Sequence, residues 1–130
     1  MTQKEIEVIL TRQLASYLAM PIIIIDPSGT LLFYNEPAEL LLGVRFEETG
    51  EMLLDEWTRI IAPTDEHGTP LALEARPLMI ALAERRPTHE EIWVVGLDQV
   101  RRHIEITAFP LIGQAGRHLG AMAIFWEVKN

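Results

Sequence analysis

Four consecutive isoleucines, Ile22–Ile25, constrain the fold of this chain more than any other stretch of its sequence. A β-strand with one face in water alternates apolar and polar side chains, whereas a strand covered on both faces is apolar throughout. The run follows Pro21 and leads into the DPSG stretch of residues 26–29, a strong turn signal because proline fixes φ and glycine permits positive φ. We therefore predict a short strand over residues 21–26 that is covered on both of its faces.

The composition excludes several classes of site. The chain has 130 residues, which is the size of one domain, and its formal net charge is −8. Such a charge opposes binding to nucleic acid or anionic lipid, and the locally basic stretches are two arginine pairs, at residues 85–86 and 101–102. The absence of cysteine excludes disulfides, thiolate metal sites and cysteine nucleophiles. An acidic N-terminus and the lack of an apolar run of about 18 residues predict a cytoplasmic protein with no membrane partner.

The first twenty residues predict an amphipathic helix that ends at Pro21. Thr2 and Glu5 have the spacing of a capping box, and apolar residues then recur at helical intervals. These residues are Ile6, Ile9, Leu10, Leu14, Tyr17 and Leu18. The apolar stripe packs either on the sheet of its own domain or on a second subunit, and periodicity does not distinguish the two. We therefore divide the chain into a helix for packing or dimerisation, residues 1–20, and a domain, residues 21–130.

The rest of the chain predicts strands, then short helices, then strands again. A strand over residues 30–34 is followed by Asn35, a good helix N-cap, and by a short helix that ends at Gly43. Short helices are expected over residues 44–62, a loop over 63–70 and a helix over 77–86. Three more strands, joined by hairpin-length turns, are predicted over residues 91–95, 102–109 and 119–128.

Three stretches of the sequence resemble the PAS family of signalling domains, in the order in which that family places them. The first stretch is the DPSG turn, the strand up to Asn35 and the helix EPAELLLG. The second is DEHGTPLALEARPLMIAL, and the third is ITAFPLIGQAGRHLGAMAIFWEV. The second stretch is similar to a PAS subgroup with an Asp-x-x-Gly-x-Pro-Leu loop. The resemblance, over about residues 18–128, implies an α+β fold with a five-stranded antiparallel sheet, short helices packed on one face and an extra N-terminal amphipathic helix. It also implies that this helix or a second subunit covers the outer face of the sheet.

The sequence departs from the PAS pattern at two places. PAS domains that drive a C-terminal partner often finish with an Asp-x-Thr motif, whereas this chain has Glu127-Val128-Lys129. The turn before the fourth strand has Asp98-Gln99 where the family usually has Asp-Gly. Output through a covalently attached effector is therefore not expected.

The resemblance implies a pocket that holds haem, flavin, a small organic acid, a metal or nothing. Cysteinyl–flavin photochemistry is excluded because the chain has no cysteine, and no residue argues for a redox flavin. Haem needs an axial ligand, usually histidine, which in haem-binding relatives comes from the long helix. The four histidines, His67, His89, His103 and His118, lie outside that helix. Haem is therefore not expected, and neither is a helical zinc site, since no histidine pair has i, i+4 spacing.

An apolar pocket between the helices and the sheet is the remaining candidate site. Its candidate lining residues are Trp57, Met79, Leu82, His103, Ile106 and Met122, together with Ile104 and Ile124. His103 alternates with Ile104 and Ile106, which are the expected core residues. The same side chains would also fill a closed core, which we favour slightly because apolar residues at these intervals usually belong to the core.

The sequence thus predicts a non-enzymatic PAS module that senses a small apolar ligand or contacts a signalling partner. It is expected to form a homodimer through its N-terminal helix and outer sheet face. One alternative is a dimerisation scaffold without a ligand. Another is a small α+β cone enzyme, of isomerase or dehydratase type, whose acid or base would be His103, Asp55 or Glu105. The sequence does not specify the ligand, the signal or the downstream effector.

Overall fold

One antiparallel sheet dominates the part of the chain that the structure describes. The structure is a computed structural model, and it describes residues 7–11, 13–14 and 18–128. The strands are β1 Ile22–Ile25, β2 Leu31–Tyr34, β3 Thr88–Val95, β4 Arg101–Ile112 and β5 His118–Glu127. The helices are α1 Glu36–Leu42, α2 Phe46–Thr49, α3 Leu54–Ile60 and α4 Pro77–Glu84, with 3-10 turns at Leu73–Ala75 and Gln114–Gly116. Residues 7–11 and 13–14 are helical, whereas Thr2, Glu5, Ile6 and Tyr17 of the predicted N-terminal helix lie outside the described residues.

The strands lie in the order β2-β1-β5-β4-β3, so that β1 pairs with β2 on one side and with β5 on the other. The first hairpin is shaped by Asp26, whose Oδ1 accepts hydrogen bonds from the backbone N–H groups of Ser28 (2.9 Å) and Thr30 (3.0 Å). A short acidic side chain in this position commonly fixes a turn in this way. The five-stranded antiparallel sheet with short helices that the sequence predicts is confirmed.

All four isoleucines of β1 are buried, with 3% or less of each residue exposed. Ile23 and Ile25 belong to the main core beneath the helices, whereas Ile22 and Ile24 pack with Met122 on the outer face of the sheet. Partly buried apolar side chains pack around this outer cluster, namely Leu32, Phe33, Phe109, Leu111 and Ile124. The prediction that β1 is covered on both faces is therefore confirmed, because apolar side chains of the neighbouring strands close over the outer isoleucines.

The helices pack on the inner face of the sheet, and α4 packs against three of its strands. Leu78, Met79 and Ala81 of this helix are buried, and α4 contacts β3, β4 and β5. It ends two residues before the predicted limit, because Arg85 adopts the left-handed conformation (φ 54°). In the described part of the chain, no helix has the length and apolar composition that a membrane crossing requires.

Strands β3 and β4 are longer than the sequence pattern predicts. β3 begins at Thr88 rather than at residue 91, and β4 runs to Ile112 rather than to residue 109. The first residues of β3 are polar, yet their backbone continues the ladder with β4, so that Thr88 lies opposite Ala108. Main-chain hydrogen bonds need no apolar side chain, which explains why alternation of side chains did not predict this part of the strand.

The turn between β3 and β4 is anchored on the end of α1. The Leu97 N–H donates to the Leu42 carbonyl oxygen (2.8 Å), and Arg102 Nη1 donates to the Leu41 carbonyl oxygen (3.1 Å). Arg102 Nη2 also donates to Asp98 Oδ2 (2.9 Å). The hydrogen bond from Arg102 lowers the pKa of the Asp98 carboxyl below its ordinary value, and Asp98 raises the pKa of Arg102. These bonds join the hairpin of β3 and β4 to the C-terminal end of α1.

Gln99 lies in this turn at the position where the resemblance to the PAS family predicts glycine, and its φ is 67°. A residue with a β-carbon is strained there by roughly 1 kcal/mol, whereas glycine is not. We expect Gln99→Gly to raise the free energy of unfolding by about 0.5–1 kcal/mol, measured by urea denaturation with tryptophan fluorescence. Gln99→Ala is the control, since alanine keeps the β-carbon. Equal stabilisation by both substitutions would contradict the strain argument.

Candidate ligand cavity

A cavity of about 40 Å³ lies between the inner face of the sheet and helices α3 and α4. Because side chains alternate along a strand, Ile104 and Ile106 of β4 both reach it. The other sheet residues at the cavity are Ile23, Ile92, Val94 and Phe125. The helices contribute Leu42, Trp57, Pro77 and Leu78. The walls are almost entirely apolar, as expected for a pocket that holds an apolar group.

Trp57 forms one wall of the cavity and is held by a hydrogen bond to the first hairpin. It is a buried residue of α3, and its indole Nε1–H donates to the Gly29 carbonyl oxygen at 2.7 Å. Gly29 belongs to the turn that the Asp26 carboxylate shapes. The bond satisfies the one polar atom of a buried indole, so the ring is fixed in position. A displacement of Trp57 would therefore also move the turn that follows β1.

Arg76 is the one charged side chain among the described residues that line the cavity. Its Nη1 donates to the carbonyl oxygens of Thr58 (3.1 Å) and Ile61 (3.3 Å) at the end of α3. Its Nε is buried without a hydrogen-bond partner, and burial lowers the pKa of the guanidinium from its ordinary value. Sequence reasoning missed this residue, because a single arginine has no periodicity. The available signal was its place directly before Pro77, which begins α4.

The structure brings three of the eight predicted lining residues, Trp57, Ile104 and Ile106, to the cavity. Met79 and Leu82 lie on α4 and pack in or against the main core without lining the cavity. From the first turn of the same helix, Leu78 lines the cavity instead.

The other three predicted lining residues, His103, Met122 and Ile124, lie on the outer face of the sheet. Each is one position away from an inward-facing neighbour, Ile104 in β4 and Ala123 in β5, and a single step along a strand reverses the face. Met122 is buried in the outer cluster. The His103 ring stacks on Trp93, with ring centroids 4.2 Å apart and planes inclined by 6°.

The titratable residues considered for an enzyme also lie away from the cavity. Asp55 is exposed on α3. Glu105 Oε2 lies 3.3 Å from His89 Nε2, and Glu91 Oε1 lies 3.5 Å from His103 Nε2, both across β3 and β4 on the outer face. None of the described acids or histidines lines the cavity. The described residues also contain no group of three or more such side chains placed to hold a metal ion.

A comparison with protein families adds independent evidence on what this architecture is. The family model for the PAS fold matches residues 16–130. The chain belongs to the PAS family. PAS domains are sensory and signalling modules, so membership supports such a role for this domain. No curated protein sequence matches the chain.

Solved structures of PAS domains share the fold. The PAS domain of BvgS from Bordetella pertussis is 21% identical with a TM-score of 0.69, over 95% of this chain and 88% of that one. The PAS domain of nitrogen regulation protein NR(II) from Vibrio parahaemolyticus is 16% identical with a TM-score of 0.62, over 92% and 98% of the two chains. A LOV protein from Rhodobacter sphaeroides is 14% identical with a TM-score of 0.69, over 98% and 69%. At these identities the likeness shows the fold alone.

The cavity of this PAS domain does not fit a flavin, the group named for a light-oxygen-voltage domain of the same fold. Pockets for ligands of that size measure roughly 300 Å³ or more, whereas this cavity measures about 40 Å³. Among the described lining residues, Arg76 is the one polar side chain that could orient a ring system. Haem does not fit this volume either, and no described histidine lines the cavity.

Proposed function

We propose that this PAS domain is a non-enzymatic sensory module that holds a small, mainly apolar ligand in the cavity and signals through dimer or partner contacts. The observation that carries the proposal is a void of about 40 Å³ with apolar walls at the junction of sheet and helices. Protein cores contain few voids larger than a water molecule, so a void in this position is a candidate binding site. A cytoplasmic location stays a prediction from the sequence.

The central strand provides a short route from the cavity to the outer surface of the sheet. Ile23 lines the cavity, while its neighbours Ile22 and Ile24 belong to the outer cluster. A ligand that binds one arrangement of β1 more tightly than another would increase the population of that arrangement, and with it the corresponding arrangement of the outer cluster. The signal therefore depends on a difference in ligand affinity between two arrangements, and occupancy alone would transmit nothing.

The exposed apolar residues of the N-terminal helix support the proposal that the module signals through dimer contacts. Ile9, Leu10 and Leu14 of this helix are exposed, and Leu10 and Leu14 are 58% and 62% exposed. Glu7 of the same helix pairs with Arg117, beside the turn between β4 and β5. An apolar stripe that is held next to the sheet but not covered by it fits a contact with a second subunit. Of the two alternatives for this stripe, we therefore propose the dimer contact.

Charge on the stripe is expected to separate the dimer. The double substitution Leu10→Lys with Leu14→Lys should weaken dimerisation at least about a hundredfold, because each leucine buried in a contact contributes about 1.5–3 kcal/mol. Sedimentation or size-exclusion chromatography with light scattering would measure the mass. Leu40→Lys, a charged replacement of a leucine 74% exposed on α1, is the control that should leave the dimer intact. A monomeric wild-type protein, or an unaffected double variant, would contradict this role of the stripe.

A visible absorption spectrum of the freshly purified protein, followed by native mass spectrometry on the same sample, tests the sensory proposal. We expect no flavin or Soret band, and an added small mass that leaves on denaturation. A bare dimer mass, and no binding in a screen of small ligands, would instead favour the dimerisation scaffold. A non-enzymatic role is supported by the positions of Asp55, His103 and Glu105 away from the cavity.

A further inference from the structure

We propose that the open edge of strand β3 binds an extended, lysine- or arginine-rich segment of a partner protein, which adds to the sheet as a further strand. The inference rests on the proposed function, since it names one partner contact through which the module signals. It uses neither the core cavity nor the N-terminal helix.

Strand β3 ends the sheet on one side, and a short part of its outer edge is already paired. The Trp93 N–H donates to the Thr64 carbonyl oxygen (3.1 Å), and the Thr64 N–H donates to the Trp93 carbonyl oxygen (2.8 Å). The backbone groups of Trp93 therefore point away from β4. This edge thus accepts a main-chain partner within the domain itself.

Glu91 and His89 of the same strand have the orientation of Trp93. In an antiparallel ladder the backbone groups of alternate residues point to the same side, and the register of β3 with β4 is regular throughout. The N–H and C=O groups of Glu91 and His89 therefore point to the open edge, and no described residue forms a hydrogen bond with them. Both residues are exposed. Two donors and two acceptors in a row can bind an extended peptide by strand addition.

A groove of about 450 Å³ lies beside this edge and gives a peptide room to bind. Ligand sites typically measure roughly 300–1,000 Å³. The apolar residues of the groove are Leu71, Ala75 and Ile92. Because side chains of a strand alternate between two faces, one face of an added strand would contact these residues. The partner segment should therefore carry apolar side chains at alternate positions.

The charges of the groove favour a basic segment. Its charged lining residues are Asp65, Glu66, Glu90 and Glu91, and none of the described residues that line it is lysine or arginine. Arg101 lies outside the groove, over the Trp93 ring at 5.6 Å from the centroid, where Thr64 already occupies the edge. Opposite charges stabilise neighbouring strands and like charges destabilise them. A second copy of this chain is disfavoured for that reason, because its β3 edge would bring the same acids.

Titration of the protein with an N-acetylated, C-amidated peptide, Lys-Val-Lys-Val-Lys, followed by NMR at constant ionic strength, tests the inference. Binding should slow hydrogen exchange at the amides of Glu91 and His89, because these groups gain acceptors. The change should be smaller at Glu90 and Ile92, whose N–H groups face β4. Two control peptides should each bind at least about tenfold more weakly. One has N-methylated lysines, which blocks the donors of one edge, and the other has glutamate in place of lysine.

Two substitutions of His89 isolate the main-chain contribution. His89→Pro removes an N–H that makes no bond to β4, which an edge strand tolerates, and should lower the peptide affinity about threefold to tenfold. His89→Ala is the matched control, since it loses the same side chain but keeps the N–H, and it should bind like the wild-type protein. Thermal unfolding checks the fold of both variants. The N-methylated peptide, used with the wild-type protein, decides the matter if the proline variant unfolds.

Two pairs of substitutions isolate the contribution of charge. Glu90→Gln with Glu91→Gln should lower the affinity for the lysine peptide about threefold to tenfold, the range expected for exposed ion pairs. Glu36→Gln with Glu48→Gln removes the same charge from exposed residues that do not line the groove, and should leave the affinity unchanged.

The outcomes separate this inference from the proposed function. Failure of the lysine peptide to bind a protein that is dimeric or carries a ligand mass would overturn this inference and leave the sensory module. Equal affinities for the lysine and glutamate peptides would overturn the basic class of partner. A wild-type dimer that is lost in His89→Pro but not in His89→Ala would assign the edge to a second copy and overturn the partner segment. Peptide binding to a monomer of bare mass would support this inference and contradict the ligand and dimer of the proposed function.

Discussion

Gly120→Ala is expected to lower the free energy of unfolding by about 3 kcal/mol. Gly120 has a φ of 132° at the position where β5 comes against the end of β1. A β-carbon there would overlap the Ile25 carbonyl oxygen and lie 2.9 Å from Asp26 Cα. Both are backbone atoms, which cannot rotate away as a side chain does. Strand β1 would have to separate from β5 or change its turn.

Gly116→Ala is the control for this effect. Gly116 also has a positive φ, 73°, but a β-carbon built on it meets no atom within 4 Å. It should therefore show the conformational strain alone, roughly 1 kcal/mol. Urea denaturation of both variants, followed by tryptophan fluorescence, measures the difference. If Gly120→Ala were no less stable than Gly116→Ala, the close approach of β5 to β1 would be wrong.

Asn35→Ala is expected to lower the free energy of unfolding by about 2–4 kcal/mol. Asn35 is 1% exposed, and its Oδ1 accepts hydrogen bonds from the N–H groups of Ile22 (2.9 Å) and Ala38 (3.3 Å). Its Nδ2 donates to the Met20 carbonyl oxygen (2.8 Å). One side chain thus caps α1, holds the first residue of β1 and fixes the segment that leads into it. Alanine leaves the buried N–H groups of Ile22 and Ala38 without this partner.

Asp65→Ala is the matched control for the loss of Asn35. Asp65 Oδ1 also accepts two backbone hydrogen bonds, from His67 (2.8 Å) and Thr69 (3.0 Å), but it does so at an exposed loop. Water replaces the lost acceptor there, so we expect a loss below about 1 kcal/mol. Similar losses in the two variants would show that burial does not determine the effect of Asn35.

The elements that the sequence predicted well are those in which local chemistry decides the structure. Asn35 and Gly43 cap α1, with the Gly43 N–H donating to the Glu39 carbonyl oxygen and φ at 80°. The DPSG turn forms through a carboxylate and a glycine that are neighbours in the chain. In each case the interacting residues are separated by a few positions, so a short stretch of sequence contains both partners.

Pairing between strands that are distant in the chain determined the register of the sheet, which the sequence did not predict. Two irregularities in the ladders, between Ile24 and Ile25 and between Leu111 and Ile112, adjust the register of the strands. Register determines which of two successive residues faces the cavity. This is why Ile106 reaches the cavity while His103, three positions earlier, stacks on the outer face.

The sequence by itself determined the PAS fold, the burial of both faces of β1 and the positions of the turns and caps, because these follow from apolar runs and neighbouring side chains. The tertiary structure alone decided the face on which Met122 lies and the size of the cavity. It also placed Arg76 at the apolar wall, held by the carbonyl groups of Thr58 and Ile61. Those contacts join residues far apart in the chain, and an isolated arginine leaves no periodic signal by which a sequence could reveal them.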